Sequence, residues 1–182
     1  MDLRPERPDD APAVRDLHLT AFGDSGPVVA GLLDGLRHTL ARHPGLSLVA
    51  EDRGEVVGHV LFTRSLLDVP RRLVDVQVLS PVAVAPERQG RGVGSALVLH
   101  GLALLAARGV PVVFLEGPPA YYSRLGFSSA TAQGFRRPSL RIPDAAFQAV
   151  RLPAHEPWMT GTLVYDAVFW ERDAVGLRDP DA

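Results

Sequence analysis

The feature that most constrains this chain is an abrupt change of pattern around residues 86–94. Upstream, valines alternate with other residues up to Val82 and Val84, as in a half-buried strand. A glycine-rich turn follows, and then a strongly apolar helical segment from Ser95 to Arg108, which Gly109 ends. Val112 to Leu115 reads as a short buried strand. Strand, turn, helix and strand form a βαβ unit, so the two strands are predicted to be parallel.

The rest of the chain divides into helical patterns first and strand patterns later. Apolar residues at helical spacing predict two early helices, one carrying Val14, Leu17, His18, Ala21 and Phe22, and one with a leucine stripe ending at Leu40. Antiparallel strands are then predicted, with Pro81 expected to cause a bulge or a splayed edge. The further predictions are strands at Leu46–Glu51 and Glu55–Leu66, a short helix at Ala120–Leu125, a strand opening at Phe127, an irregular basic loop at Gly134–Pro143 and a final strand at Gly161–Phe169.

Composition sets limits on the class of protein. The 182 residues predict a single domain over residues 1–175, with a flexible tail at 176–182. A net charge of −2 gives no basic surplus for bulk nucleic-acid binding. No apolar run approaches the ~20 residues of a membrane span. The chain has no cysteine, which excludes a thiol nucleophile and fits a cytoplasmic location. The scattered histidines match no metal spacing, so no metal is expected.

The turn itself has the features of a phosphate cradle. Gly90, Gly92 and Gly94 allow the backbone to approach a ligand closely, and the amides at a helix N-terminus favour an anion. Arg88 and Arg91 add positive charge nearby. The Walker pattern fails because no lysine followed by Ser or Thr closes the loop. The dinucleotide pattern fails in both frames. A plain connecting turn is the alternative interpretation.

Residues 82–94 resemble the acetyl-CoA motif of the GCN5-related N-acetyltransferases (GNAT), Gln/Arg-x-x-Gly-x-Gly/Ala. Gln89, Gly92 and Gly94 occupy its fixed positions. The resemblance implies that backbone amides of the turn hold the pyrophosphate of acetyl-CoA. It also implies that the preceding strand lies along the pantetheine arm, with the backbone of Val82 and Val84 pairing with it. The implied cofactor-binding residues are Val82, Ala83, Val84, Gln89, Gly90, Arg91, Gly92, Val93, Gly94 and Ser95.

A second segment, residues 120–127, is similar to the tyrosine signature of the same family. Tyr122 falls where family members carry a tyrosine near the CoA sulfur, and the resemblance implies that it protonates the departing thiolate. Gly126 is expected to end the short helix and Phe127 to anchor it in the core. Packing is the alternative role for Tyr122, and it is the role expected for Tyr121.

The resemblance covers nearly the whole chain. Residues 115–124 and 161–169 are close to a bacterial subgroup of predicted N-acetyltransferases. The implied fold is α/β: a central mixed, mostly antiparallel sheet of about seven strands with a V-shaped splay, flanked by about four helices. The implied reaction is direct acetyl transfer from acetyl-CoA to a primary amine, on a small molecule or a peptide. Dimers are frequent in the family, so a homodimer stays open.

The amine must lose a proton before it can attack, because an alkyl ammonium with a pKa near ~10 is mostly charged at pH 7. Glu116, at the end of the strand before the tyrosine segment, is the first candidate for the base. Asp75 and His59 come next. For each of the three, a structural role is the alternative.

Two other classes of function stay open. One is a non-catalytic domain of the same fold that binds or senses acyl-CoA. The other is a phosphate-binding protein of another family. The arginines of the basic loop could gate an acidic acceptor, although exposed arginines are usually only solvated.

Overall fold

The computed structural model describes residues 1–177 of the chain. Within them lie eight strands: β1 (Asp2–Pro5), β2 (Leu46–Asp52), β3 (Glu55–Val69), β4 (Arg72–Val84), β5 (Val112–Glu116), β6 (Ser128–Ser129), β7 (Phe147–Arg151) and β8 (Thr162–Val164). The same residues contain five α-helices: α1 (Ala11–Ala21), α2 (Gly26–Leu40), α3 (Val93–Ala107), α4 (Pro119–Tyr122) and α5 (Ala167–Glu171).

The strands form one mixed sheet in the order β1-β2-β3-β4-β5-β7-β6, and β8 pairs with β3. β1 with β2, β2 with β3, β5 with β7, β6 with β7, and β3 with β8 are antiparallel. β4 and β5 are parallel, with Gln77 opposite Val113 and Val78 opposite Phe114. The predicted mixed, mostly antiparallel fold class and the parallel βαβ pair are therefore confirmed, with eight strands and five helices where about seven and about four were expected.

The contacts between residues divide the described chain into two compact units. Strands β3 and β4 each contribute residues to both units. The first unit consists of Met1–Thr63 and Leu79–Leu105, and the second of Arg64–Val78 and the described chain from Ala106 onward. The single domain predicted over residues 1–175 stays a prediction. Of the predicted tail at 176–182, residues 178–182 lie outside the described residues, whereas the amides of Gly176 and Leu177 donate hydrogen bonds.

In the first unit, two glycines seat α3 closely against β3. A Cβ built on Gly101 would lie 2.3 Å from a ring carbon of Phe62. One built on Gly58 would lie 2.9 Å from side-chain carbons of Leu97 and Val93. Neither position has room for a larger residue. This close packing fixes the start of α3, and with it the glycine-rich turn that precedes the helix.

The second unit has an aromatic core formed by residues of β5, of β7 and of the segment between β6 and β7. Phe114 packs edge-on against Phe135, with centroids 4.9 Å apart, and is stacked with Phe147 at 5.8 Å. Short antiparallel β6 follows the tyrosine segment, and Gly126 has the left-handed φ of +92° expected of a helix C-cap. Phe127 is buried, as predicted.

Three parts of the sequence prediction are wrong or incomplete. The final strand predicted at Gly161–Phe169 is only Thr162–Val164, and Ala167–Glu171 is helical. The Asp166 side chain accepts a hydrogen bond from the Val168 amide at 3.0 Å, which caps the helix. Strands β1 and β7 were not predicted.

Candidate active site

The glycine-rich turn lies between β4 and α3 in the first unit. Gly90 and Gly92 have φ angles of +71° and +83°, in the left-handed region that other residues rarely adopt. A Cβ built on either one would meet no atom within 4 Å. The backbone angle, and not a lack of space, therefore requires glycine here. The space beside the turn is open to a ligand.

The start of α3 gives this open space its electrostatic character. The Ala96 amide donates to the Gly92 carbonyl at 2.9 Å and makes the helical hydrogen bond that begins at the turn. Amides nearer the N-terminus of a helix lack carbonyl partners within it and carry partial positive charge. The turn thus presents backbone donors of the kind that bind phosphate.

The two arginines of the turn differ in their surroundings. The Arg88 guanidinium forms an ion pair with Asp52 at 2.8 Å, so a carboxylate already balances its charge. Arg91 is exposed, and within residues 1–177 it forms no ion pair. Of the two positive charges expected near the turn, that of Arg88 is therefore balanced by Asp52, whereas that of Arg91 is not paired within residues 1–177.

The end of β4 is anchored on one face and half-buried on the other. Ala83 and Ala85 pack with Leu17 of α1 in an apolar cluster. Val82 and Val84, which alternate with them, are half-buried. The Gln89 side-chain amide donates to the Val84 carbonyl at 3.1 Å and ties the turn back to the strand.

Tyr122 lies in the second unit at the end of α4. Its side chain is buried and packs edge-on against Tyr121, with centroids 4.9 Å apart, and against Phe127 at 5.8 Å. A Cβ on Gly117 would lie 2.4 Å from a ring carbon of Tyr122, so Gly117 makes room for the ring. Burial raises the pKa of Tyr122 well above its usual value, so the phenol keeps its proton at neutral pH.

Glu116, the last residue of β5, has partners on both carboxylate oxygens. The Tyr165 hydroxyl donates to Oε1 at 2.7 Å, and the Gly176 amide donates to Oε2 at 3.2 Å. Burial raises the pKa of Glu116, and these two hydrogen bonds and the charge of Arg141 offset that effect only in part. These contacts fit a carboxylate that fastens the end of the described chain to β5.

The other candidate bases have different surroundings. Asp75 is exposed and paired with Arg64, whose Nε lies 2.8 Å from Oδ1. His59 is fully buried in the first unit. Residues 82–95 lie in the first unit, and Glu116 and Tyr122 both lie in the second.

Sequence reasoning missed a buried polar chain in the first unit, which we call the histidine network: Glu6, Arg37, Ser47, His59 and His18. Arg37 forms an ion pair with Glu6, and the Ser47 hydroxyl donates to the other oxygen of Glu6. The His59 ring joins Ser47 at 2.9 Å to His18 at 2.8 Å. Since Ser47 uses its proton on Glu6, it accepts from His59 Nε2–H, and His59 Nδ1 accepts from His18 Nε2–H.

The network holds both histidines neutral. Burial lowers the pKa of His18 to about 3, an effect that the neighbouring His59 and Arg37 increase and Glu6 only partly opposes. Burial also lowers the pKa of His59, against the opposing effect of Glu6. The sequence signal that could have found this network is His18, a polar residue on the apolar stripe predicted for α1.

Two features of residues 1–177 bear on other functions. Among residues 1–177, no group of three or more His, Asp or Glu side chains is placed to hold a metal ion. No helix in that part of the chain is long and apolar enough to cross a membrane.

Comparison with known proteins identifies the family. Residues 2–130 match the family model described as the acetyltransferase (GNAT) domain. The chain therefore belongs to the GNAT acetyltransferases. A curated relative, the uncharacterized N-acetyltransferase YjhQ of Escherichia coli strain K12, is 37% identical over 158 residues, which are 85% of this chain and 86% of that protein.

Two solved structures are similar over almost the whole chain. The GNAT family N-acetyltransferase YhbS of Escherichia coli, in complex with CoA, is 32% identical with a TM-score of 0.81 and covers 92% of this chain and 91% of its own. A GNAT family acetyltransferase of Brucella melitensis, in complex with acetyl-CoA, is 33% identical with a TM-score of 0.72, covering 92% and 97%. These likenesses confirm the resemblance noted in the sequence.

Proposed function

We propose that this chain binds acetyl-CoA at the glycine-rich turn and transfers the acetyl group directly to a primary amine. The observation that carries the proposal is the pair of left-handed glycines, Gly90 and Gly92, beside open space at the start of α3. The CoA and acetyl-CoA complexes of the two similar structures support the choice of ligand. A cytoplasmic location and a homodimer stay predictions.

In this proposal the amides from Gln89 to Ser95 hold the pyrophosphate, and the β4 residues Val82, Ala83 and Val84 lie along the pantetheine arm. An amide near Val82 polarises the thioester carbonyl. The amine nitrogen attacks that carbonyl carbon, the carbon–sulfur bond breaks, and the amide product forms without a covalent enzyme intermediate.

Two protons must move in the reaction. The departing thiolate takes one from the Tyr122 hydroxyl, which burial keeps protonated. The amine gives one up to a base, and Glu116 is the proposed group, since a raised pKa brings a carboxylate closer to the working range of a general base. Its two hydrogen bonds favour the alternative anchoring role, so Glu116→Gln needs kinetic analysis as well as a stability measurement.

The binding step can be tested with a matched pair of glycine variants. Gly92 and Gly54 have similar φ angles, +83° and +85°, and open space around both, but Gly54 lies in the β2–β3 hairpin. Gly92→Ala and Gly54→Ala should each cost about 1 kcal/mol of stability. Calorimetric titration should show at least about tenfold weaker CoA binding for Gly92→Ala alone. Equal affinities in both variants, or a preference of the parent for ATP, would contradict the proposed site.

The chemical step can be tested with Tyr122→Phe against Tyr121→Phe, using free-thiol release with a panel of primary amines. General acid catalysis contributes roughly 10²–10⁴-fold, so turnover should fall by about that factor in the first variant only, with CoA affinity unchanged. Full turnover of Tyr122→Phe would exclude it as the acid. CoA binding by the parent without turnover of any amine would favour the sensing domain instead.

A further inference from the structure

A pocket of about 460 Å³ lies in the second unit, apart in sequence from every residue proposed to bind acetyl-CoA. Small-molecule sites have volumes of roughly 300–1,000 Å³, so a small organic ligand fits. We call it the arginine pocket. It is lined by β3, by the first residues of β4, by the segment before β5 and by the segment after β7: Arg64, Leu66, Arg72, Leu73, Val74, Asp75, Gly109, Pro111, Ala154 and Met159.

Much of the lining is apolar. Val74 and Met159 are buried and give the pocket an apolar base. Leu73, by contrast, is 54% exposed. Covering Leu73 with a ligand would remove apolar surface from water, which is favourable at roughly 25 cal/mol per Å².

Three charged residues line the pocket, Arg64, Arg72 and Asp75, and Arg72 lies beside Trp158 and Arg71, which are not part of the lining. Arg64 is paired with Asp75. The guanidinium carbons of Arg71 and Arg72 each lie 5.2 Å from the centroid of the Trp158 ring. Within residues 1–177 neither of these two arginines forms an ion pair with a carboxylate.

Trp158 is itself held in place, because its Nε1–H donates to Glu156 at 2.9 Å. The indole ring thus gathers two guanidinium groups with one carboxylate on its edge. Like charges that share one ring repel each other, and an anion between them would relieve that repulsion. A guanidinium also binds a carboxylate through two parallel hydrogen bonds, which makes a carboxylate a well-suited anion.

We propose that the arginine pocket binds a small carboxylate with an apolar body, its carboxylate at Arg72 and its apolar part against Leu73 and Met159. This is a ligand site beyond the proposed acetyl transfer. No residue of the pocket has a role in that reaction as proposed above, although Asp75 was one of the candidate bases considered from the sequence.

Tryptophan fluorescence offers a direct test. The chain has two tryptophans, so in a Trp170→Phe background Trp158 is the sole indole. Hexanoate should change its emission saturably, whereas hexanol and hexylammonium at the same concentrations should not. Arg72→Gln should weaken hexanoate binding at least about tenfold, as expected for losing a charge-assisted hydrogen bond.

Two further variants keep the test informative. Arg42→Gln removes an exposed arginine of the first unit and should leave hexanoate affinity unchanged. Leu73→Ser changes an exposed side chain, so it should fold. It should weaken hexanoate but not acetate. The proposal is wrong if hexanol binds as tightly as hexanoate, if Arg72→Gln behaves like Arg42→Gln, or if acetate and hexanoate bind equally well. These outcomes require no acetyl transfer and so are separate from the proposed function.

Discussion

Two partly buried glutamates, Glu6 in the first unit and Glu116 in the second, have pKa values shifted in opposite directions. Burial alone would raise the pKa of Glu6, but the contact with His59, whose Nε2 lies 3.4 Å from Oε2, the hydrogen bond from Ser47 and the charge of Arg37 lower it to about 2. Burial raises the pKa of Glu116, and its neutral partners Tyr165 and Gly176 do not reverse that effect.

The difference shows that the contacts with His59 and Ser47 decide the sign of the shift more than a counter-charge does, because the charge of Arg37 has a smaller effect on the pKa of Glu6 and Arg141 also lowers the pKa of Glu116. Glu6 is in direct contact with a guanidinium, whereas the groups that bond Glu116 are a phenol and a backbone amide. A carboxylate whose hydrogen bonds and neighbouring charges outweigh its burial stays ionised, and one whose burial prevails is easier to protonate. This is why Glu116 is the more suitable of the two for proton transfer.

The largest expected effect is that of Glu6→Gln. The substitution removes the nearer counter-charge of Arg37, which is 17% exposed and otherwise pairs only with the more exposed Asp34 at 3.9 Å, and breaking a largely buried pair costs about 3 kcal/mol. Urea unfolding at pH 7 should show that loss. Glu55→Gln, at an exposed position of β3, should change the free energy of unfolding by less than about 0.5 kcal/mol. Equal losses in the two variants would mean that the Glu6–Arg37 pair does not stabilise the fold.

The second prediction concerns acid sensitivity. His18 has a pKa of about 3 in the folded chain against 6.5 for the free side chain, and the pKa of His59 is also lowered. Between those two pH values the unfolded chain binds more protons than the folded chain. The contribution of the neutral histidines to the free energy of unfolding is therefore complete above pH 6.5 and falls as the pH drops. His18 contributes up to about 1.4 kcal/mol per pH unit in that window, and His59 adds to the slope in the same direction.

Denaturant unfolding between pH 7 and pH 5 measures this slope. His18→Gln should flatten it, whereas His38→Gln, which changes an exposed histidine of α2, should leave it as in the parent. A parent whose stability is constant over this range would contradict the neutral histidine pair.

The contrast between the glycine-rich turn and the histidine network also explains what the sequence could predict. Gly90 and Gly92 act through local backbone angles, so three glycines within five residues were enough to locate the turn. The periodic apolar pattern of α2 and the strongly apolar run of α3 were local in the same way. The final segment failed because Asp166 could be read either as one polar residue in a strand or as the helix cap that it is.

The histidine network could not be assembled from sequence. Its members are spread from residue 6 to residue 59, and each has an ordinary interpretation alone. Only the register that places Ser47 beside β3 brings them together. Likewise, the sequence placed Glu116 correctly at the end of β5, but it could not show that Tyr165, 49 residues further along, occupies one of its oxygens.

The smallest expected effect sharpens the comparison most. Glu116→Gln keeps an acceptor for the Tyr165 hydroxyl but turns an amide donor toward the Gly176 amide, so it should cost about 1 kcal/mol. The pKa of Glu116 in the folded chain is raised above 4.5. Protonated Glu116 therefore makes its full contribution to the free energy of unfolding below pH 4.5, and this contribution is lost as the pH rises through the folded pKa. The loss of stability caused by Glu116→Gln, relative to the parent, should therefore shrink as the pH rises.

For Glu6 the pKa is lowered from 4.5 to about 2. The loss of stability caused by Glu6→Gln should therefore grow as the pH rises through that range. Measuring both variants against the parent from pH 3 to pH 7 tests this contrast, and deficits that change in the same direction would contradict the opposite pKa shifts of the two carboxylates.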